Sequence, residues 1–276
     1  MNIDHAALVG SLKELCLKAG EAILTVYSQA DFEVIQKADD SPVTQADRQA
    51  HRVITDGLER LGAGIPVISE EGTIPPLEER SLWSCYWLVD PLDGTKEFIA
   101  RTDEFTVNIA LIDNGRPVLG IIYAPVARVF YWGGSALHGA WRQKEGGEVV
   151  AIQTRSCAPA GLLNVAVSRH HGRDRLTDLI DRFEQRFSEV HLTVAGSSLK
   201  ICLVAEGSLD IYPRRGPTSE WDTAAGQAIV EGAGGMLLNG DLQPLRYNNK
   251  ESLINPDFYV LGDPAAEWEA LLAGSN

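Results

Sequence analysis

Residues 87–98 read WLVDPLDGTKEF. A hydrophobic strand runs directly into two aspartates three positions apart, Asp90 and Asp93, separated by Pro91 and Leu92 and followed by Gly94, Thr95 and Lys96. An ordinary strand end needs one or two turn residues. A carboxylate at the end of a buried strand costs several kcal/mol of desolvation unless it is paired or bound to a metal. The stretch therefore reads as a holding device on a strand carboxyl end, where α/β folds place ligands.

Two further places put acids at element ends. Ser69-Glu70-Glu71-Gly72 follows a short strand, and Glu220-Trp221-Asp222 precedes a helix expected to begin near Thr223. Taken singly, Asp222 reads as a helix N-cap and Glu70 and Glu71 as solvated turn residues. Taken together, Glu70, Asp90, Asp93 and Asp222 in one cleft would repel one another by roughly 4 kcal/mol per pair at about 4 Å and an effective dielectric near 20. Protonation or bound cations are the two remedies. Hard oxygen donors without nearby His or Cys point to Mg²⁺, two ions balancing four carboxylates. Thr95, two residues after Asp93, is then placed to orient a water acidified by the metal, with Glu70 or Asp47 to take its proton.

The bulk properties suit such a site. A chain of 276 residues with 45% hydrophobic and 22% charged residues forms a sizeable core. Net charge is −14, so a polyanion such as DNA is repelled and no nucleic-acid partner is expected. A small anion remains compatible where a local cation reverses the field. No apolar stretch reaches the roughly 18–20 residues of a membrane span, and the segment MNIDHAALVG lacks the features of a secretory signal. The four cysteines are scattered without C-x-x-C spacing, which fits a reducing cytoplasm. Peripheral contact with an inner membrane face is left open; core packing is the simpler reading of the amphipathic first helix. P-loop, H-E-x-x-H, G-x-S-x-G and G-x-G-x-x-G signatures are absent from the sequence.

Helices are expected over 4–28 and 45–61, with Leu8, Leu12, Leu15, Ala19, Ile23 and Val26 on one stripe and Ala46, Ala50, Val53, Ile54, Leu58 and Leu61 on the other. Strands are expected at Val67–Ser69, Tyr86–Val89, Phe105–Ile112, Val118–Tyr123 and Val129–Trp132, with a return near Gly139–Arg142. Asp113-Asn114-Gly115-Arg116 is a hairpin signal. After about residue 150 strands and helices alternate: strands at Val165–Ser168, Val190–Val194 and Leu209–Tyr212, helices at Arg175–Phe187, Ser198–Ala205 and Thr223–Ala233, and a last helix capped by Asp263 with Pro264 at its first position. The organisation expected is an α+β metal-binding segment, 1–150, completed by an α/β segment, 151–276.

Glu70-Glu71, Asp90-Pro91-Leu92-Asp93-Gly94-Thr95 and Trp221-Asp222-Thr223-Ala224-Ala225-Gly226, in this order, resemble the motifs of the inositol monophosphatase superfamily, and Asp40 to Asp47 (DSPVTQAD) is similar to its N-terminal segment. The resemblance implies a layered αβαβα sugar-phosphatase fold and a Mg²⁺-dependent, lithium-sensitive phosphatase. Gly94-Thr95-Lys96-Glu97-Phe98, Gly196-Ser197-Ser198-Leu199-Lys200, Tyr212-Pro213-Arg214 and Lys250 to Pro256 (KESLINP) resemble its CysQ-type 3'(2'),5'-bisphosphate nucleotidase branch. The implied substrate is adenosine 3',5'-bisphosphate, a by-product of sulfate assimilation, converted to AMP; an inositol or sugar phosphatase on the same scaffold is the alternative. By the same resemblance Glu70, Asp90, Asp93, Asp222 and the Leu92 carbonyl are metal ligands. Asp47 and Thr95 activate water, Gly94 and Thr95 offer backbone N–H groups to phosphate, and Ser197, Lys200, Arg214 and His171 hold the nucleotide. Ser168 to His171 read Ser-Arg-His-His where relatives often have Ser-Arg-Ser-His.

Overall fold

The computed structural model describes residues 4–36, 42–61, 64–158, 161–169 and 173–272. In chain order the elements are α1 (His5–Tyr27), β1 (Val34–Gln36), β2 (Pro42–Thr44), α2 (Gln45–Arg60), β3 (Val67–Ser69), α3 (Leu77–Arg80), β4 (Cys85–Asp93), α4 (Thr95–Ile99), β5 (Thr106–Asp113), β6 (Arg116–Ala124), β7 (Val129–Gly134), β8 (Gly139–Lys144) and β9 (Val149–Ala151). They continue with β10 (Leu162–Ser168), α5 (Arg173–Arg186), β11 (Glu189–Ala195), α6 (Leu199–Ala205), β12 (Ile211–Arg214), α7 (Glu220–Gly232), β13 (Met236–Asn239), β14 (Phe258–Leu261) and α8 (Trp268–Leu272).

Strands β3 to β9 form one sheet in sequence order, antiparallel except for the parallel pair β3–β4. A second sheet runs β11-β10-β12-β14-β13. Alternation along β4 shows how the layers are specified. Trp87 and Val89 join Leu12, Leu15, Ala19 and Ile54 in a core beneath α1 and α2, while Tyr86 and Leu88 face Ile201, Ala225 and Ile229 of α6 and α7. The second sheet repeats the pattern. Tyr212, Phe258 and Val260 point toward α6 and α7, and Ile211, Tyr259 and Leu261 toward Leu179 and Phe183 of α5 and Trp268 of α8. The stack is helix, sheet, helix, sheet, helix, which is the layered αβαβα fold expected. A sheet covered on both faces also explains why β4 to β6 read as nearly continuous apolar runs, although their pairing is antiparallel.

The Ala- and Gly-rich sequence of α7 follows from its place between two sheets. A Cβ on Gly120 of β6 would stand 2.2 Å from the Ala225 carbonyl oxygen, so that strand and helix approach to backbone contact. The Asn114-Gly115 hairpin is as read, with φ of 49° and 72° at the two central residues, the type I′ signature.

Three local expectations are corrected. The motif strand does not stop at Val89 but continues to Asp93, with a register shift between Asp90 and Asp93 where Pro91 cannot donate to the ladder. Helix α7 starts at Glu220, before Thr223, with Ser219 as N-cap. The last helix starts at Trp268. Asp263 does not cap it: its two carboxylate oxygens accept from Ala265 N at 2.9 Å and Cys157 N at 2.8 Å, which commits it to a turn tied to another segment. Strands β1, β2, β9, β13 and β14 and the short helices α3 and α4 had no clear period in the sequence. Among the described residues no helix is long and apolar enough to cross a membrane.

Candidate active site

Parallel pairing brings the first two acidic motifs together. Ser69 lies opposite Val89, and Glu70 N donates to the Val89 carbonyl at 3.1 Å, so Glu70 leaves β3 beside Asp90 on β4. Asp90 is buried, and its Oδ1 accepts from Leu92 N at 3.0 Å, folding the bulge back on itself. Gly94 takes φ 93° and turns the chain into α4, bringing Thr95 under the strand end. A Cβ at Gly94 would meet the Glu104 carbonyl oxygen at 3.2 Å and Ser197 Cβ at 3.3 Å. The third motif arrives from the opposite layer. Asp222 is the third residue of α7, and its Oδ2 accepts from Ser219 N at 2.9 Å within a capping box.

Glu70, Asp90, Leu92, Asp93, Gly94, Thr95, Ser197, Lys200, Arg214 and Asp222 line one cleft of about 560 Å³. Asp47 is not in that lining. It sits buried behind it at the start of α2, where Oδ2 accepts from Thr44 N at 2.8 Å and Thr44 Oγ1 at 2.6 Å, and Oδ1 accepts from Thr95 Oγ1 at 3.0 Å. His171 lies outside the described residues, as do the first two residues of the 40–47 segment.

The electrostatics follow from this convergence. Burial, then Glu70, Asp93 and Asp222, push the Asp90 carboxyl well above the usual carboxylate range. Burial, then Asp93 and Glu70, do the same to Asp222, with Arg214 as a smaller opposing influence. Asp47 is raised by burial, against the hydrogen bonds from Thr44 and Thr95. Among the described residues these acids do not close into a cage of three or more. Glu70 and Asp93 are nonetheless near enough to raise the Asp90 and Asp222 carboxyls. The described lining of the cleft contains neither His nor Cys, so its donor set is hard oxygen and fits a Mg²⁺-like cation.

Positive charge enters from α6 and from β12 of the second sheet. Lys200 is buried, and its ammonium donates to Ala195 O at 3.1 Å and Ser197 O at 2.7 Å. Burial lowers its pKa to about 8. Arg214 donates to Ser168 Oγ at 3.1 Å and Pro217 O at 3.0 Å, while its buried Nε has no partner among the described residues. Two residues escaped the sequence reading. Asn108 of β5 donates to Asp93 Oδ2 at 3.4 Å and to Ser198 Oγ at 2.9 Å, and Ser198 Oγ lies 2.5 Å from the same Asp93 oxygen. The signal available was a buried Asn in an apolar strand, in register with Asp90.

Residues 5–273 match the model of the inositol monophosphatase family. The chain is 50% identical over 249 residues to the 3'(2'),5'-bisphosphate nucleotidase CysQ of Escherichia coli O157:H7, covering 90% of this chain and 96% of that protein. It is 41% identical over 257 residues to the protein of the same name from Buchnera aphidicola, covering 92% and 93%. Its fold matches the crystal structure of CysQ from Bacteroides thetaiotaomicron with a TM-score of 0.80 and 40% identity, covering 95% of this chain and 99% of that one. From the first helix to the last, in sequence as in fold, the chain belongs to the inositol monophosphatase family.

Proposed function

We propose that the protein is a Mg²⁺-dependent 3'(2'),5'-bisphosphate nucleotidase that converts adenosine 3',5'-bisphosphate to AMP and phosphate, serving sulfate assimilation in the cytoplasm. The observation that carries this reading is the convergence, on one cleft, of four carboxylates from β4, α7 and the end of β3 with Lys200 of α6 and Arg214 of β12. The relatives that are 50% and 41% identical bear that activity in their names. The apolar side of the cleft, with Ile74, Pro217 and Ile254, suits a purine better than a fully hydroxylated ring.

Glu70, Asp90, Asp93, Asp222 and the Leu92 carbonyl would hold the cations. When bound, Mg²⁺ neutralises these carboxylates and lowers the pKa of water near the phosphate. The chain's own groups do the rest. Because Thr95 Oγ1 gives its hydrogen to Asp47, its lone pairs are left to accept from a water and orient it. Asp47, raised by burial, is a stronger base than an ordinary carboxylate, with Glu70 as the second carboxylate in reach of the cleft. The Gly94 and Thr95 N–H groups at the head of α4 would bond phosphate oxygens. Lys200, Arg214, Ser197 and His171 would hold the remaining phosphate and the nucleoside.

The experiment is phosphate release from adenosine 3',5'-bisphosphate, inositol 1-phosphate and fructose 1,6-bisphosphate, each with Mg²⁺ and with EDTA. The reading expects preference for the nucleotide and loss in EDTA. Preference for inositol 1-phosphate would overturn the substrate and leave the carboxylate site standing.

A further inference from the structure

Ser198 occupies the N-cap position of α6, where a serine hydroxyl ordinarily bonds a backbone N–H of its own helix. Here it makes no such bond. Its Oγ instead lies 2.5 Å from Asp93 Oδ2 and 2.9 Å from the Asp222 carbonyl oxygen, and it accepts from Asn108 Nδ2 at 2.9 Å. One hydroxyl thus touches two of the acidic motifs, one on β4 and one on α7, and is itself held by β5. The approach is built in. Gly196 lies so near α4 that a Cβ would stand 2.8 Å from the Glu104 carbonyl oxygen and 2.8 Å from Glu97 Cγ.

The orientation of Asn108 is settled by chemistry. A carboxylate only accepts, so the amide nitrogen must face Asp93. That leaves Asn108 Oδ1 buried without a partner among the described residues, a cost tolerated at the site. The hydroxyl of Ser198 carries one hydrogen, and the carboxylate is a stronger acceptor than the carbonyl. Asp93 Oδ2 therefore receives Ser198 fully and Asn108 weakly, while Oδ1 makes no hydrogen bond among the described residues. Neither Ser nor Asn titrates in the working range, so the pair fixes a carboxylate without competing for protons.

We infer that Asn108 and Ser198 are positioning residues that set Asp93 for divalent-cation binding. This rests on the metal reading given under the proposed function. Groups that orient ligands in this way change metal affinity by about 10–100-fold when removed.

The test is calorimetric titration of Mg²⁺ into the full chain, with a thermal melt of each variant. Ser198→Ala and Asn108→Ser are each expected to weaken Mg²⁺ binding by about 10–100-fold. The double variant should lose little more than the worse single, because both act on one oxygen. Turnover of either single variant should recover with excess Mg²⁺, which a merely structural defect would not show. Asn108→Ser serves if Ser198→Ala does not fold. If wild type binds Mg²⁺, Asp93→Asn abolishes binding, and the folded Ser198 and Asn108 variants bind within about twofold of wild type, well short of that range, the inference is overturned and the metal site stands. If wild type takes up no Mg²⁺, both fall.

Discussion

Thr95 Oγ1 donates a 3.0 Å hydrogen bond to Asp47 Oδ1 across 48 residues of chain. The bond joins the head of α4 to the first turn of α2 beneath the cleft floor. It leaves the Thr95 lone pairs as acceptors and gives a buried carboxylate a route to the cleft. Thr95→Val keeps the shape and removes that route. Turnover is expected to fall by about 10²–10⁴-fold with little change in KM, measured by steady-state phosphate release. Asp47→Asn should lose activity similarly and also cost about 1 kcal/mol of stability, because the same carboxylate closes the capping box with Thr44.

The acidic cluster makes a prediction about stability without metal. The Asp90 and Asp222 carboxyls are raised in the folded state, so above the ordinary carboxylate range the folded chain binds more protons than the unfolded one. Stability then falls as pH rises through that range. In EDTA, Tm should be higher on the acid side of neutrality than at neutral pH. Added Mg²⁺ at about 100 times its Kd should restore about 2.7 kcal/mol. Asp93→Asn should abolish turnover and the Mg²⁺-induced rise in Tm while the protein stays folded; retained activity would remove Asp93 from the metal set.

Lys200 predicts the alkaline limb. Its pKa of about 8 lies below the ordinary lysine value of 10.5 because the ammonium is buried. Between those two values the unfolded chain binds the extra proton, so this group makes folding more favourable as pH rises through the window. Binding of an anion runs the other way, since the positive charge is lost. KM for the nucleotide should climb above about pH 8. Lys200→Met should raise KM at neutral pH by about 10-fold or more and flatten that climb, read from KM against pH.

Gly94 tests the turn itself. At φ 93° an L-residue is strained, and its Cβ would press on the Glu104 carbonyl oxygen and on Ser197. Gly94→Ala is expected to cost about 1–3 kcal/mol. It should lower kcat/KM more than the melt alone accounts for, because Thr95 and Ser197 are displaced together.

Much of this was local, and so legible without a fold. The α1 and α2 stripes, the Asn114-Gly115 turn and the strands through the meander follow from side-chain periods and positive-φ tolerance, which act over a few residues. The four acidic residues were visible because like charges at the ends of strands and the start of a helix demand a counter-charge wherever they meet. That they do meet is tertiary. Parallel pairing of β3 with β4 delivers Glu70, and the packing of α7 between two sheets delivers Asp222. The burial of Lys200 and the diversion of Ser198 from its helix cap have the same origin. Each depends on which layer covers the residue, and that is set by contacts over a hundred positions apart, such as Ser198 to Asp93 at a separation of 105. Helix and strand periods carry no record of such distances, so the sequence alone determined which residues are candidates for the chemistry, and only the tertiary structure decided that most of them line one cleft and which other side chains lie against them.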